Sequence, residues 1–248
     1  IYDSGLKVPM IIRFPGRLGA GSVDEQLISF VDFAPTTLAM AGIDIPESMQ
    51  GQSFYGDTAT ARQYIYAAAD RFDGHTDTLR AVKDKRFKYI RNYRPEQPYY
   101  LPVTYREKIP TMREMLTLQQ SGELTESQAQ WFRPEKPEEE LFDTWQDPHE
   151  LNNLASQTRY QAKLEELSTA MDQWLAAIGD NPDLAERDLI TQLWNGVDQP
   201  ITAQATHKQN GMNLMLTSAT EGATISYRVI DNNNEPLSNW RYYLNSIP

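Results

Sequence analysis

The stretch TLRAVKDKRFKYIR, residues 78–91, decides the architecture of this chain. Residues 78–82 and 87–91 are short runs rich in β-branched, aliphatic and aromatic side chains, a composition typical of strands. Asp84-Lys85-Arg86 lies between them and is suited to a tight turn, so the stretch predicts an antiparallel hairpin. Residues 64–69, just upstream, predict a further strand.

A helix is predicted to pack on this sheet. From Tyr160 to Gly179 the apolar residues recur at steps of three and four, which places them on one face of a five-turn helix. They are Tyr160, Leu164, Leu167, Met171, Trp174, Leu175 and Ile178. Residues 95–137 are rich in proline and aromatic residues and are interpreted as an ordered excursion over the domain surface, with a helix over 112–120.

The two ends of the chain show different patterns. Residues 8–14 form a nearly continuous apolar run before Pro15-Gly16, which predicts a buried strand and a turn. Asp32 is predicted to cap a helix that begins at Phe33 and ends at Gly42. After about Asn195 the apolar pattern has period two, which predicts a small all-β module.

Composition excludes several functions. The formal net charge is -11, which disfavours nucleic acids and anionic membranes as partners, and no apolar run has the length of a membrane span. There is no cysteine, so disulfides, thiolate metal sites and a cysteine nucleophile are excluded within this chain. The chain starts at Ile1 rather than Met, and we expect it to begin inside a larger protein.

Five motifs, in order along the chain, carry a resemblance to a known family. They are YDSGLKVP (2–9), VDFAPTTL (31–38), QGQSF (50–54), RAV with RFKYI (80–82 and 86–90), and ELFD with DPHE and NLA (140–143, 147–150 and 153–155). Together they resemble the type I sulfatases of the alkaline phosphatase superfamily, and most closely the sulfamidase, or N-sulfoglucosamine sulfohydrolase, branch. The segments 222–227 and 240–242 resemble the immunoglobulin-like modules at the C-termini of chitobiases and hexosaminidases.

The resemblance implies an α/β, alkaline-phosphatase-like fold, of which this chain is the C-terminal portion. Residues 1–60 are then the last strand and helices of the central domain, and 61–194 are the C-terminal subdomain with a small antiparallel sheet plus helix. Residues 195–248 are a small β-sandwich-like module. Because the strand at 8–14 would have an exposed edge without its sheet, residues 1–60 are expected to need the N-terminal half of the protein for stability.

The activity that the resemblance implies is hydrolysis of sulfate esters or sulfamates on a sulfated glycan. Family members use a formylglycine and a calcium ion, held by residues that lie upstream of Tyr2. We therefore expect no catalytic residue and no metal ligand in this chain, which should be inactive alone. Asp143, Asp147 and Glu150 are interpreted as a solvated acidic turn rather than a calcium site. Family resemblance also implies an exported, periplasmic or secreted, protein.

A sugar-binding site is predicted in the loop 70–75. Residues 71–94 hold eight Lys and Arg against three Asp, and arginine forks match sulfate oxygens. In this hypothesis Asp70 and Asp73 accept sugar hydroxyls, while Arg71 and His75 contact a carboxylate or a second sulfate. The alternative is that the hairpin cations, such as Arg80 and Lys88, form only a solvated face.

Two other whole-protein functions remain open from the sequence. One is a phosphodiesterase or phosphatase of the same superfamily, and the other is a non-catalytic carbohydrate-binding protein. The aromatic residues Trp240, Tyr242 and Tyr243 are interpreted either as the core of the β module or as a platform on which sugars stack.

Overall fold

In a computed structural model, which describes residues 1–56 and 59–247, a four-stranded antiparallel sheet organises the first part of the chain. Asp57, Thr58 and Pro248 belong to the predicted domains but lie outside the described residues. The strands of the sheet are β1 (Ile65–Phe72), β2 (His75–Lys83), β3 (Phe87–Asn92) and β4 (Glu139–Asp143), in the order β1-β2-β3-β4.

The predicted hairpin is confirmed as β2 and β3. Asp84 makes the turn, because its Oδ1 accepts hydrogen bonds from the backbone N–H groups of Arg86 (2.7 Å) and Phe87 (2.6 Å). In the resulting register Val82 pairs with Tyr89, and Tyr89 pairs with Leu141 on β4. This register places the three apolar side chains on one face of the sheet.

One face of the sheet packs on the predicted helix, which is confirmed over Gln161–Ile178. Leu167 and Met171 of this helix are fully buried against the face formed by Val82, Tyr89 and Leu141. The helix ends where Gly179 adopts a left-handed conformation, with φ 69°. The helix and the sheet thus share the main hydrophobic core.

The opposite face is covered by the beginning of the chain. Ile1 and Tyr2 pack against a second apolar cluster that contains Ala81, Ile90 and Phe142. The helical turn Asp3–Leu6 follows at once. Strands β2, β3 and β4 are consequently buried on both faces.

The predicted strand over residues 8–14 is not formed. No strand precedes Ile65 in the part of the chain that the structure describes, and Ile11 is 95% exposed. A strand requires a neighbour for its backbone hydrogen bonds, and none of the described segments provides one here. The predicted helix is confirmed at Phe33–Met40, but the side chain of Asp32 makes no cap to it.

The remaining helices of this unit lie mostly in the excursion between β3 and β4. They are Thr104–Glu107, Pro110–Ser121 and Glu126–Ala129, and the second confirms the helix predicted over 112–120. The excursion is attached to the sheet by Lys136, which is buried and paired with Asp77 of β2.

The chain divides into two compact units, Ile1–Asp183 and the part from Leu184 onward. The second unit contains a helix, Glu186–Trp194, and two separate two-stranded antiparallel sheets. Their strands are Thr206–Asn210 with Asn213–Thr217, and Ser226–Tyr227 with Arg241–Tyr242. The immunoglobulin-like arrangement and the domain limits at residues 60 and 194 stay predictions. Of the helices in the described part, none is long and apolar enough to cross a membrane.

Candidate functional site

The four predicted site residues lie at the tip of the β1–β2 hairpin rather than in an independent loop. Asp70 and Arg71 belong to β1, Asp73 is in the turn, and His75 begins β2. Asp73 has a left-handed backbone, with φ 55°, which Asp tolerates better than most residues. A register shift between Ala69 and Arg71 accommodates the closing turn.

Asp70 is engaged in an ion pair. One of its oxygens lies 2.8 Å from Nη1 of Arg80, whose side chain is only 2% exposed. Asp180 holds the other edge of the same guanidinium, 2.6 Å from Nε. Burial acts against the charge of Arg80, but the hydrogen bonds with Asp180 and Asp70 outweigh it and raise its pKa. The interpretation of Arg80 as a solvated cation is therefore wrong, and Asp70 stabilises that buried charge.

His75 is fixed by the excursion that follows β3. Its Nε2 lies 2.7 Å from the carbonyl oxygen of Pro102, which can only accept, so the ring donates from Nε2. The neutral ring then keeps Nδ1 as an acceptor. Arg71 and Asp73 are both exposed at the hairpin tip.

An arginine that the sequence analysis did not single out lies beside this tip. The guanidinium carbon of Arg106 is 4.5 Å from the ring centroid of Phe72, 5.5 Å from that of Tyr100 and 5.8 Å from that of Trp131. We call Phe72, His75, Tyr100, Arg106 and Trp131 the hairpin-tip cluster. The aromatic richness of residues 95–137 was the only sequence signal for it.

Arg106 is held by a backbone contact rather than by an acid. Its Nη2 donates to the carbonyl oxygen of Leu101, and its Nε is buried with no hydrogen-bond partner. No carboxylate within the described residues forms an ion pair with it. Aromatic rings around a guanidinium favour the charge while leaving its donors for an anion. The guanidinium of Arg106 is thus the positively charged group of this cluster.

Three of the family-like motifs meet in a second, buried arrangement around Lys88. Its Nζ lies 2.5 Å from Oδ1 of Asp3 and 2.7 Å from Oε1 of Glu150, and the Lys88 side chain is 1% exposed. We call Lys88, Asp3 and Glu150 the Lys88 cluster. Burial acts to raise the pKa of Asp3, but hydrogen bonds from Lys88 and Lys83 outweigh it and lower the pKa below its ordinary value. Lys88 is thus not part of a solvated face either.

Two acidic residues of the run 143–150 form ion pairs with basic residues of the same chain. Glu150 pairs with Lys88, and Nη2 of Arg86 lies 2.5 Å from Oδ2 of Asp143. Hydrogen bonds from Arg86 hold the pKa of Asp143 below its usual range. The interpretation of this run as solvated is wrong for Asp143 and Glu150, which are both buried. Among the described residues no group of three or more His, Asp or Glu is placed to hold a metal.

The remaining two motifs meet around Asp32. Its carboxylate, which is buried, accepts from Nε of Arg62 (2.8 Å) and from the backbone N–H groups of Ser29 (2.9 Å) and Gln52 (3.0 Å). Gly51 passes so close to Val31 that a Cβ would lie 1.9 Å from the Val31 carbonyl oxygen. Asp32 and Gly51 therefore fix the relative positions of these two motif segments.

Two surface depressions of the first unit are lined by residues other than the predicted site residues. One is lined by side chains of the Gln161–Ile178 helix together with Gln63 and Tyr64, and includes Glu165 and Glu166. The other lies beside Arg91 and Tyr93 and includes Glu138, Glu139 and Asp183. Their acidic walls are poorly suited to a sulfated ligand.

The chain is similar to several known sulfatases. The family model "N-sulphoglucosamine sulphohydrolase, C-terminal" matches residues 1–131. An "Ulvan-active sulfatase" of Formosa agariphila is 56% identical over 245 residues, which cover 98% of this chain and 41% of that protein. Human "N-sulphoglucosamine sulphohydrolase" is 23% identical over 194 residues, covering 70% of this chain and 37% of the relative.

A similar solved structure, "BT1596, a 2-O GAG sulfatase", has a TM-score of 0.39 at 20% identity. It covers 60% of this chain and 25% of that protein. The chain thus spans about two fifths of the length of the two curated relatives.

Proposed function

The chain belongs to the sulfatases, in the family named for the C-terminal part of N-sulphoglucosamine sulphohydrolase, and from this membership we propose its function. It forms the C-terminal part of a longer enzyme that hydrolyses sulfate esters of a sulfated polysaccharide, with ulvan as the substrate to test first. The identity of 56% with an "Ulvan-active sulfatase", extending over 98% of this chain, carries the proposal. By the same resemblance the complete enzyme is exported.

In this proposal the chain supplies scaffold rather than the reacting groups. The charged motif residues Asp3, Lys88 and Glu150 are paired with one another in the Lys88 cluster, and Asp32 is paired with Arg62. Calcium does not fit the acidic run 143–150, because Arg86 and Lys88 already neutralise Asp143 and Glu150. Following the family resemblance, the nucleophile and the metal ligands are assigned to the part of the complete protein that precedes this chain.

The contribution of this chain to substrate recognition is assigned to the hairpin-tip cluster. Arg106 lacks a carboxylate partner among the described residues, and His75 is oriented by Pro102. A guanidinium backed by aromatic rings binds sulfate or carboxylate oxygens through its N–H donors. Asp70, Arg71 and Asp73 are proposed to extend this surface, and Asp70, whose side chain is 65% exposed, also holds Arg80.

The exposed apolar residues near the beginning of the chain support the proposal that it is one part of a longer fold. Val8, Ile11 and Val23 are all largely exposed, and an apolar surface of this kind is normally covered in a folded protein. We assign its cover to the central domain of the complete enzyme. Residues 8–14 would then pair with that domain as the strand that the sequence predicts.

The test uses the complete protein, including the residues upstream of this chain, and measures sulfate release from ulvan. We expect sulfate release, and we expect His75→Ala to lower kcat/KM by about fivefold, the size of one lost hydrogen bond between neutral groups, because Nδ1 of His75 can accept from a sugar hydroxyl. Lys85→Ala, at the exposed opposite turn, serves as the matched control and should stay within twofold.

Two results would contradict the proposal. Phosphate release from a phosphate ester without sulfate release would identify a phosphatase or phosphodiesterase. Binding of the polysaccharide by the complete protein without any hydrolysis would identify a carbohydrate-binding protein.

A further inference from the structure

The second unit presents two exposed aromatic residues on one arm of a short hairpin. Trp240 is 64% exposed and Tyr242 is 71% exposed. They flank Arg241 in the hairpin formed by residues 225–243, where Ser226 pairs with Tyr242 and Tyr227 with Arg241. Residues two apart on a strand project from the same face, about 7 Å apart along it.

The burial pattern shows that these rings are not the core of the unit. Ile225, Tyr227 and Tyr243 are half-buried and form the inner face of the hairpin, while Ser226, Arg228, Trp240 and Tyr242 are exposed on the outer face. The backbone bond from Tyr243 N–H to the Ile225 carbonyl, 2.8 Å, extends the same register. The interpretation of these aromatic residues as the core of the β module therefore holds for Tyr243 alone.

A cation lies on the same outer face. The guanidinium carbon of Arg228 is 5.0 Å from the ring centroid of Trp240, and no described carboxylate forms an ion pair with it. Asp231 and Glu235, the two acids of the hairpin, are at its turn, where Asp231 accepts backbone N–H groups of Asn233 and Glu235. The strand region of an otherwise acidic unit is thus positive.

We propose that Trp240, Tyr242 and Arg228 bind a chain of sulfated polysaccharide. Two exposed aromatic side chains on one face of the hairpin stack on successive sugar rings, and the guanidinium pairs with a sulfate or carboxylate. An exposed apolar patch of this kind on a soluble unit normally marks a binding surface. Only the choice of a sulfated polysaccharide rests on the proposed function; the surface itself is independent of hydrolysis.

The experiment measures the affinity of the 248-residue chain for ulvan by affinity electrophoresis. All variants carry Arg106→Gln, so that the hairpin-tip cluster does not contribute. We expect Trp240→Ala to weaken binding about tenfold and Trp240→Phe to retain most of it, since stacking requires only an aromatic ring. Arg228→Gln should remove the preference for ulvan over chemically desulfated ulvan. Met212→Ala, at a 92% exposed position of the same unit, is the control and should bind like the parent.

Three outcomes would overturn the proposal. They are unchanged binding by Trp240→Ala, equal binding of sulfated and desulfated ulvan by the parent, and a dimer in sedimentation analysis that Trp240→Ala dissociates. The last result would identify a second copy of the chain as the occupant. Because no step of this assay involves hydrolysis, a complete protein that releases no sulfate would refute the proposed function and leave this result interpretable.

Discussion

Replacing Lys88 with Met should unfold the first unit at much lower urea concentration. The Lys88 ammonium lies 2.5 Å from Asp3 and 2.7 Å from Glu150, and the Glu150 side chain is as buried as the lysine. Without it, two buried carboxylates keep only Lys83, 3.2 Å from Asp3, as a nearby cation. Removing one partner of a buried ion pair costs about 3–5 kcal/mol, which lowers the folded-to-unfolded ratio more than about 100-fold.

The assay is urea-dependent amide exchange of β2 and β3 in the 248-residue chain, which reports the first unit alone. Lys85→Met, in the exposed turn of the same hairpin, is the control and should change the free energy of unfolding by less than about 0.5 kcal/mol. Adding Glu150→Gln to Lys88→Met should recover a large part of the loss, because one unpaired charge is removed. A loss below about 1 kcal/mol for Lys88→Met would refute the reasoning.

Three further predictions concern other parts of the first unit. In the complete enzyme, Arg106→Gln should lower kcat/KM on ulvan by about tenfold or more, because a charge-assisted hydrogen bond is lost. The control Lys108→Gln should stay within twofold of the parent, and equal effects of the two substitutions would exclude a specific role for Arg106. Gly51→Ala should lower the free energy of unfolding by about 1–3 kcal/mol or more, because the added Cβ would lie 1.9 Å from a backbone oxygen. Gly5→Ala, where an added Cβ meets nothing within 4 Å, should leave the free energy of unfolding unchanged. Denaturant titration of the two variants measures this difference. Burial acts to raise the pKa of Asp32, but the hydrogen bonds that this carboxylate accepts lower the pKa below its ordinary value. The ionised Asp32 should therefore contribute fully to the stability of the folded state above about pH 4, and this contribution should be lost as the pH falls further. A stability–pH profile unchanged by Asp32→Asn would contradict this.

The parts of the fold that local patterns specify could be predicted from the sequence. Asp84 supplies the turn of the β2–β3 hairpin, and the spacing of Leu167, Met171 and Trp174 supplies the face of the covering helix. Both depend on residues that are near one another in the chain. The strand predicted at residues 8–14 is not formed, because a strand also depends on a neighbouring strand that is distant in the sequence.

The burial of charged residues could not be read from local patterns. Lys88 and Arg80 alternate with apolar residues along their strands, which normally indicates a solvated face. Their partners Glu150 and Asp180 are 62 and 100 residues away, so only the tertiary fold pairs them. The motifs were informative for the family, but their physical role, as buried ion pairs, required the structure.

The candidate site was predicted in part. The sequence located Arg71, Asp73 and His75 in one short segment, and the structure places them at one hairpin tip. It also brings Arg106 against Phe72, a contact across 34 positions of the chain that no spacing rule indicates. Asp70 also pairs with Arg80, which the fold buries beside it and which no local pattern indicates.

The central claim is that this chain provides scaffold and a substrate-facing surface, while the hydrolytic groups are supplied by the rest of the enzyme. The most direct measurement compares sulfate release from ulvan by the purified 248-residue chain and by the complete protein under the same conditions. We expect release by the complete protein and none above the no-enzyme background by the chain alone. Sulfate release by the chain alone would contradict the account, because it would require a nucleophile within residues 1–248.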